Sequence, residues 1–195
     1  MQKILRENGT PSLTVGSNDV ISSKQNPFPG ELHSSPTSGD VSLGCTLDYD
    51  ATRENILNVF NKIPADIDTL FLYLNVNSGP GVIGLPGNEV VFRDELLEAM
   101  SMLTQKQIVL YFDGPNAASF LKELPPNTYA ISSAGEFEMS WGTWCTPDEI
   151  VKDTHIKTCM SDLFTHFFIE HLKTADSATT SLQQQFDAIA PLVQK

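Results

Sequence analysis

Hydrophobic and polar positions fall into two rhythms along the chain. DTLFLYLNV at 68–76 is a short unbroken apolar run, and QIVLYFD at 107–113 and TYAISSA at 128–134 repeat it. Runs of this length, bounded by turn residues, predict strands buried on both faces. Between them the spacing lengthens to the helical period. TRENILNVFNKI at 52–63 sets Ile56, Val59, Phe60 and Ile63 on one face, and RDELLEAMSMLTQ at 93–105 does the same with Leu96, Leu97, Met100 and Leu103. SDLFTHFFIEHL at 161–172 reads as a further helix, and a short one is expected from about Asn116 to Leu124. MQKILREN reads as a short helix stopped by Gly9, and SLTVGS at 12–17 as a strand. Residues 22–48 are rich in Pro, Ser and Gly and mark a long irregular loop, while the tail SATTSLQQQFDAIAPLVQK is polar and weakly helical. Strands alternating with helices predict an α/β fold, a mostly parallel sheet with helices on both faces.

Composition narrows the function. The 195 residues can bury one core with small appendages, and they carry a formal net charge of -12 with only 18% charged residues. Clustered Lys and Arg, which phosphate neutralisation needs, are missing, so nucleic acid is excluded as a partner. No apolar run approaches the roughly 20 residues of a membrane span, and MQKILRENG lacks the apolar segment of a secretory signal. Cys45, Cys145 and Cys159 are far apart and form no CxxC pair, which suggests free thiols and neither a disulfide framework nor zinc. His33, His155, His166 and His171 show no ligand spacing and read as surface or loop histidines. No metal or cofactor is expected.

Parallel sheets bind ligands beyond the carboxyl ends of their strands. Two such ends stand out here, NVNSGPG after the strand at 68–76 and DGPNAAS after the one at 107–113. In a cysteine or serine hydrolase these turns would supply a base and a nucleophile on adjacent strands. Asn77 is no base near pH 7, and Pro115 has neither a nucleophilic atom nor a backbone N–H. The SGPG turn lacks the Lys and the Ser/Thr of a phosphate loop. Asp113, at the strand end, reads first as a local turn or cap acceptor and second as a ligand-binding carboxylate. NGT at 8–10 is formally a glycosylation sequon, but Pro11 follows it.

An ordered series of short segments resembles the legumain family of asparaginyl endopeptidases, cysteine peptidases of caspase-like fold. The segments are RENGTP 6–11, NPFPG 26–30, PTSGDVSLG 36–44, LFLYLNVNSGPGVIGLPGNE 70–89, IVLYFDGPNAASF 108–120 and ELPPNTYAISSA 123–134. The family's first turn carries Asp-His-Gly and its second Glu-Ala-Cys. The resemblance therefore puts Asn77 at the histidine and Pro115 at the cysteine, with Val76 before the former and Asp113 as the acidic residue of the second turn. It also makes Asp113 a candidate substrate-binding residue and aligns the family's late pocket aspartate with Thr158.

The resemblance implies a legumain-like domain over 1–175, truncated at its N-terminus so that the first family strand and its pocket arginine are missing, and a tail over 176–195. It implies a peptidase homologue without catalytic residues, a pseudoenzyme that binds a peptide or protein partner at the old cleft. A vacuolar or lysosomal location follows from the same resemblance. Two alternatives stand beside it: an active cysteine endopeptidase with relocated residues, using Cys145 or Cys159 with His155, and a subunit like that of the GPI-anchor transamidase.

Overall fold

The structure is a computed structural model that describes residues 11–16, 48–103, 106–141, 150–151, 154–155, 162–175 and 179–194. The expected helix at 1–8, the loop at 22–47, the sequon, all three cysteines and Thr158 lie outside the described residues. The chain divides into two compact units, one of residues 1–56 and 144–160, the other of residues 57–143 and 161–195. In the first, strand β1 (Val15–Gly16) pairs in parallel with β2 (Tyr49–Asp50), and Asp48 accepts the Thr14 N–H at 2.8 Å. Helix α1 (Arg53–Asn58) follows. Thr52 starts it by accepting the Asn55 N–H at 3.2 Å. The expected helix at 52–63 does not run through; Val59–Lys62 tightens into a 3-10 turn that buries Phe60, and Pro64 ends the segment.

The second unit holds the core. Strands β3 (Thr69–Asn75), β7 (Gln107–Asp113) and β8 (Thr128–Ser132) form a parallel sheet with β7 in the middle. The expected strand pair is present, in a register that sets Tyr73 opposite Tyr111 and Asn75 opposite Asp113. Between β3 and β7 the chain builds an antiparallel meander of β4 (Asn77–Gly79), β5 (Val82–Gly84) and β6 (Val90–Phe92). The segment NSGPG, read above only as a turn, thus contributes a strand, with Gly81 at φ 71° closing the hairpin. Helix α2 (Arg93–Ser101) begins where Glu95 accepts the Phe92 N–H at 3.0 Å. It ends earlier than the expected residue 105, and Leu103 packs inward from the turn that follows.

Alternation along the strands assigns the two faces of the sheet. Phe71, Tyr73 and Tyr111 turn their rings to Phe164 and Phe168 of α3 (Leu163–Thr174), with Tyr111 and Phe168 centroids 4.9 Å apart. Phe112, on the opposite face, stacks on Phe120 at 4.4 Å. Phe120 closes the 3-10 turn Ala117–Phe120, all that forms of the helix expected at 116–124. Asn116 is left-handed at φ 57°, and Pro125 bars Leu124 from helical geometry. The tail is more regular than its composition suggests. Helix α4 (Leu182–Val193) starts with a capping box between Ser181 and Gln184 and packs on α3. Tyr111 donates its hydroxyl hydrogen to Gln185 Oε1. Two short strands of the first unit, β9 (Ile150–Val151) and β10 (Thr154–His155), pair antiparallel. Among the described residues β3 pairs only with β7, and β1 with β2.

Candidate functional site

Three turns meet at the carboxyl end of the parallel sheet: 76–81 after β3, 113–119 after β7 and 133–138 after β8. Backbone and hydroxyl groups join them. Val76 N–H donates to Asp113 O at 3.0 Å. Ser78, buried, donates its hydroxyl hydrogen to Pro115 O at 2.5 Å. Gly81 N–H donates to Ser119 Oγ at 2.9 Å, and Gly114 N–H to Ser133 Oγ at 3.1 Å. Asn116 is held from behind, its N–H on Glu138 O at 2.7 Å and its side-chain amide on Glu136 O at 3.0 Å. The structure thus brings together the two turns singled out by the sequence, with Asn77 at the exposed end of β4, one residue from the Ser78 contact to Pro115. Neither turn carries a thiol or an imidazole. What they offer chemically, beside the Asp113 carboxylate, is the amides of Asn77 and Asn116, the buried and engaged hydroxyls of Ser78 and Ser119, and backbone carbonyls.

Gly114 is the tightest point. A Cβ there would stand 2.3 Å from Val76 O and 2.9 Å from Ser78 Oγ, so only glycine lets the two turns approach this closely.

Asp113 has a larger role than a local cap. It is fully buried on the α3 face of the sheet, and its Oδ2 accepts from four donors. These are the Thr165 hydroxyl at 2.5 Å, the Thr165 N–H at 3.2 Å, the Tyr73 hydroxyl at 3.3 Å and the Asn75 amide at 3.4 Å. Thr165 is the third residue of α3, so a β7 carboxylate caps a helix 52 residues away and meets the positive end of its dipole. Asp162, the N-cap residue of α3, makes no capping bond. Its carboxylate instead accepts from Asn75 Nδ2 at 2.9 Å. Asn75 therefore stands between two carboxylates. Asp113 Oδ1, buried, has no hydrogen-bond partner among the described residues.

Electrostatics follow from this geometry. Burial, and then the charge of Asp113, pushes the Asp162 carboxyl above its ordinary value, against the Asn75 bond that lowers it. The Tyr73 hydroxyl is pushed up by burial and by the same charge. Asn75, Asp162 and Thr165 escaped the sequence reading. Only the period-2 pairing of Asn75 with Asp113 carried a signal, and the α3 residues gave none. Beside the sheet end lies a groove of about 1010 Å³, lined by β8, the 133–141 segment and one side of α3 and α4, with Ser133, Trp141, Leu163 and Phe186 among its walls. The described histidine side chains, His166 and His171, lie on α3. Among the described residues no cluster of His, Cys, Asp and Glu is suited to a metal ion, and no helix is long and apolar enough to cross a membrane.

A mixed α/β chain with a parallel sheet whose terminal turns form a polar site is the architecture of a caspase-like peptidase domain. Sequence comparison makes the assignment specific: the model of the Peptidase C13 family matches residues 1–195, and the chain belongs to that family. It is 25% identical over 213 residues to a vacuolar-processing enzyme of Vicia sativa, covering 96% of this chain and 43% of that one. The vacuolar-processing enzyme delta-isozyme of Arabidopsis thaliana is 26% identical over 213 residues, 96% of this chain and 46% of that protein. A legumain of Canavalia ensiformis is 24% identical over 196 residues, 88% and 41% of the two chains. The chain spans less than half the length of these relatives.

Proposed function

We propose that this chain is a non-catalytic member of the cysteine peptidase family it belongs to, and that it binds a peptide segment at the carboxyl end of its sheet. The observation that carries the reading is the pair Asn77 and Pro115 on turns joined by the Ser78 to Pro115 bond. On the resemblance of their turns to the family's Asp-His-Gly and Glu-Ala-Cys, we take these as the base and nucleophile positions. Without the thiol no acyl-enzyme forms. Loss of a general base alone costs roughly 10²–10⁴-fold in rate, and loss of one oxyanion donor, here the N–H that Pro115 does not have, roughly 10²–10³-fold. The groove walled by β8, α3 and α4 shares Ser133 with this site and supports a binding role.

The test is chemical. The purified protein is expected to cleave no asparagine-containing fluorogenic peptide from acid to neutral pH, and a thiol-directed probe is expected to leave residues 108–120 unlabelled. Turnover that disappears in Cys145→Ala or Cys159→Ala would establish relocated chemistry and overturn the proposal. Pro115→Cys alone is expected to give a thiol that stays mostly protonated. Asn77→His with Pro115→Cys should alkylate faster, with little asparagine-directed cleavage, and equal rates would show that positions 77 and 115 do not act on each other.

A further inference from the structure

We infer that the open edge of β8 takes an extended peptide segment from a partner protein as an added strand, apolar at its centre and basic at its ends. The inference rests on the peptide-binding reading above and names how the peptide is held. Among the described residues β8 pairs only with β7. Ile108 N–H donates to Asn127 O at 3.1 Å and Ser133 N–H to Phe112 O at 3.0 Å, so the odd-numbered residues of this stretch bond to β7. Ala130 and Ser132 therefore turn their N–H and C=O groups outward, at the groove they line. Of the outward groups the Thr128 N–H is bonded, to Pro125 O at 3.0 Å, which leaves the later half of the edge open. Proteins ordinarily guard such an edge with a charge, a proline or a bulge. TYAIS has none of these and runs in unbroken register with β7.

The walls decide what fits. Helix α4 carries a second stripe beside the one that buries Ile189: Phe186, Ala190, Val193 and Gln194, at i, i+4, i+7 and i+8, line the groove, and Phe186 is 38% exposed. Leu121 reaches the groove from the turn that covers the opposite face of the sheet. A strand about 4.8 Å outside β8 would have apolar groups on both faces, the condition that gives β7 its unbroken apolar run. Glu138 is the one charged residue among the described walls, and its carboxylate already accepts the Gly135 N–H at 2.8 Å. The centre of the segment therefore meets no free charge. Its ends lie in the field of a chain with a net charge of -12, which favours Lys or Arg there and disfavours a second copy of this chain. The outward main-chain groups select a strand over a helix, since only a strand brings the matching ladder of donors and acceptors.

The experiment is a fluorescence-anisotropy titration of the whole chain with fluorescein-labelled, amide-capped Lys-Lys-Val-Thr-Val-Ile-Val-Lys-Lys. A form N-methylated at every other residue of Val-Thr-Val-Ile-Val keeps one edge able to pair and is expected to bind within about threefold of the parent peptide. A form N-methylated throughout that stretch keeps neither edge and should bind at least about tenfold more weakly. Glu in place of the terminal Lys residues should weaken binding by a similar factor at low salt. Amide exchange over residues 128–133 should slow when the parent peptide binds, and Ala190→Lys, checked for folding by circular dichroism, should weaken binding at least about tenfold. Equal binding of the fully methylated form would overturn strand pairing and leave the peptide-binding reading standing. So would binding that neither slows exchange at 128–133 nor responds to Ala190→Lys. Equal binding of the Glu-ended form would overturn the basic ends. A chain that dimerises on sedimentation with 128–133 protected would give the edge to a second copy and overturn the assignment to a partner. If the strand peptide fails to bind while Ala-Ala-Asn-Ala-Ala-Ser binds, the edge assignment falls alone, and if neither binds, both readings fall.

Discussion

Replacing Gly114 by alanine should be among the most damaging single-methyl changes in this protein. The added Cβ would lie 2.3 Å from Val76 O, 2.9 Å from Ser78 Oγ and 3.4 Å from Val76 C. The Val76 carbonyl has little room to withdraw, since Val76 N–H is bonded to Asp113 O and Asp113 is itself buried. Overpacking of this kind costs typically about 1–3 kcal/mol, and contact with backbone oxygen puts the expected cost near the upper end, about 3 kcal/mol. The second contact is of a different kind, because Ser78 Oγ is a side-chain atom that a substitution removes. Ser78→Gly should cost about 1 kcal/mol for the lost bond to Pro115 O, plus about 0.5–1 kcal/mol for a glycine in strand β4. In the double variant the methyl enters space that the hydroxyl has left, so the total should fall short of the sum by about 1 kcal/mol. The family resemblance gives this pair its interest. On that resemblance the turns would carry glycine at 78 and alanine at 114, where this chain has Ser78 and Gly114. Urea denaturation of the four proteins measures the coupling; with a slope of about 2 kcal/mol/M, Gly114→Ala should lower the midpoint by about 1.5 M. Strict additivity would show that the two groups do not meet, and a variant as stable as the parent would refute the close approach of the turns.

Two further outcomes follow from single side chains. Asp162 has a raised pKa in the folded chain because of burial and then the Asp113 charge, so the folded state holds this proton to higher pH than the unfolded state does. Stability from this group is therefore full below its ordinary value of 3.8 and is lost as the pH rises through the folded value. Asp162→Asn should gain thermal stability on the parent between pH 3 and pH 7, and a parent that gains on the variant over that range would refute the sign. Lys106 Nζ donates to Pro64 O at 3.0 Å, to Ala65 O at 3.1 Å and to Ile67 O. Lys106→Met leaves three carbonyls of one loop without their cation and should cost about 1–2 kcal/mol, with faster amide exchange confined to residues near 64–68; unchanged exchange there would mean that the loop holds itself.

The division between what was and was not legible in the sequence has a physical basis. Strand β7 was readable because it is buried on both sides, which writes an unbroken apolar run into the chain; β3 carries a similar run although Thr69, Phe71 and Asn75 are exposed, and parallel pairing put Asn75 opposite Asp113. The helices were readable in place but not in length. Nothing in the spacing of 52–63 announces that Val59–Lys62 tightens to a 3-10 turn, and the left-handed Asn116 that prevents a helix after Pro115 is a tertiary effect, held by carbonyls of the 136–138 segment. The same limit applied at the site. Asn77 and Pro115 stood out because each occupies a strand-end turn where hydrolytic chemistry needs a different residue type, a local fact. Asp113 was read as a local acceptor because acidic residues at strand ends usually bond within their own turn. Its partners instead arrive from β3 and from α3, up to 52 residues away. That distance is also what gives Asp162 its character. A helix whose N-terminal N–H groups are met by a carboxylate from the sheet no longer needs its own N-cap side chain, and the freed Asp162 carboxylate faces a second negative charge across Asn75. The turns that carry Asn77 and Pro115 and the negative charge around Asn75 occupy the same sheet end, and the second does not depend on the first.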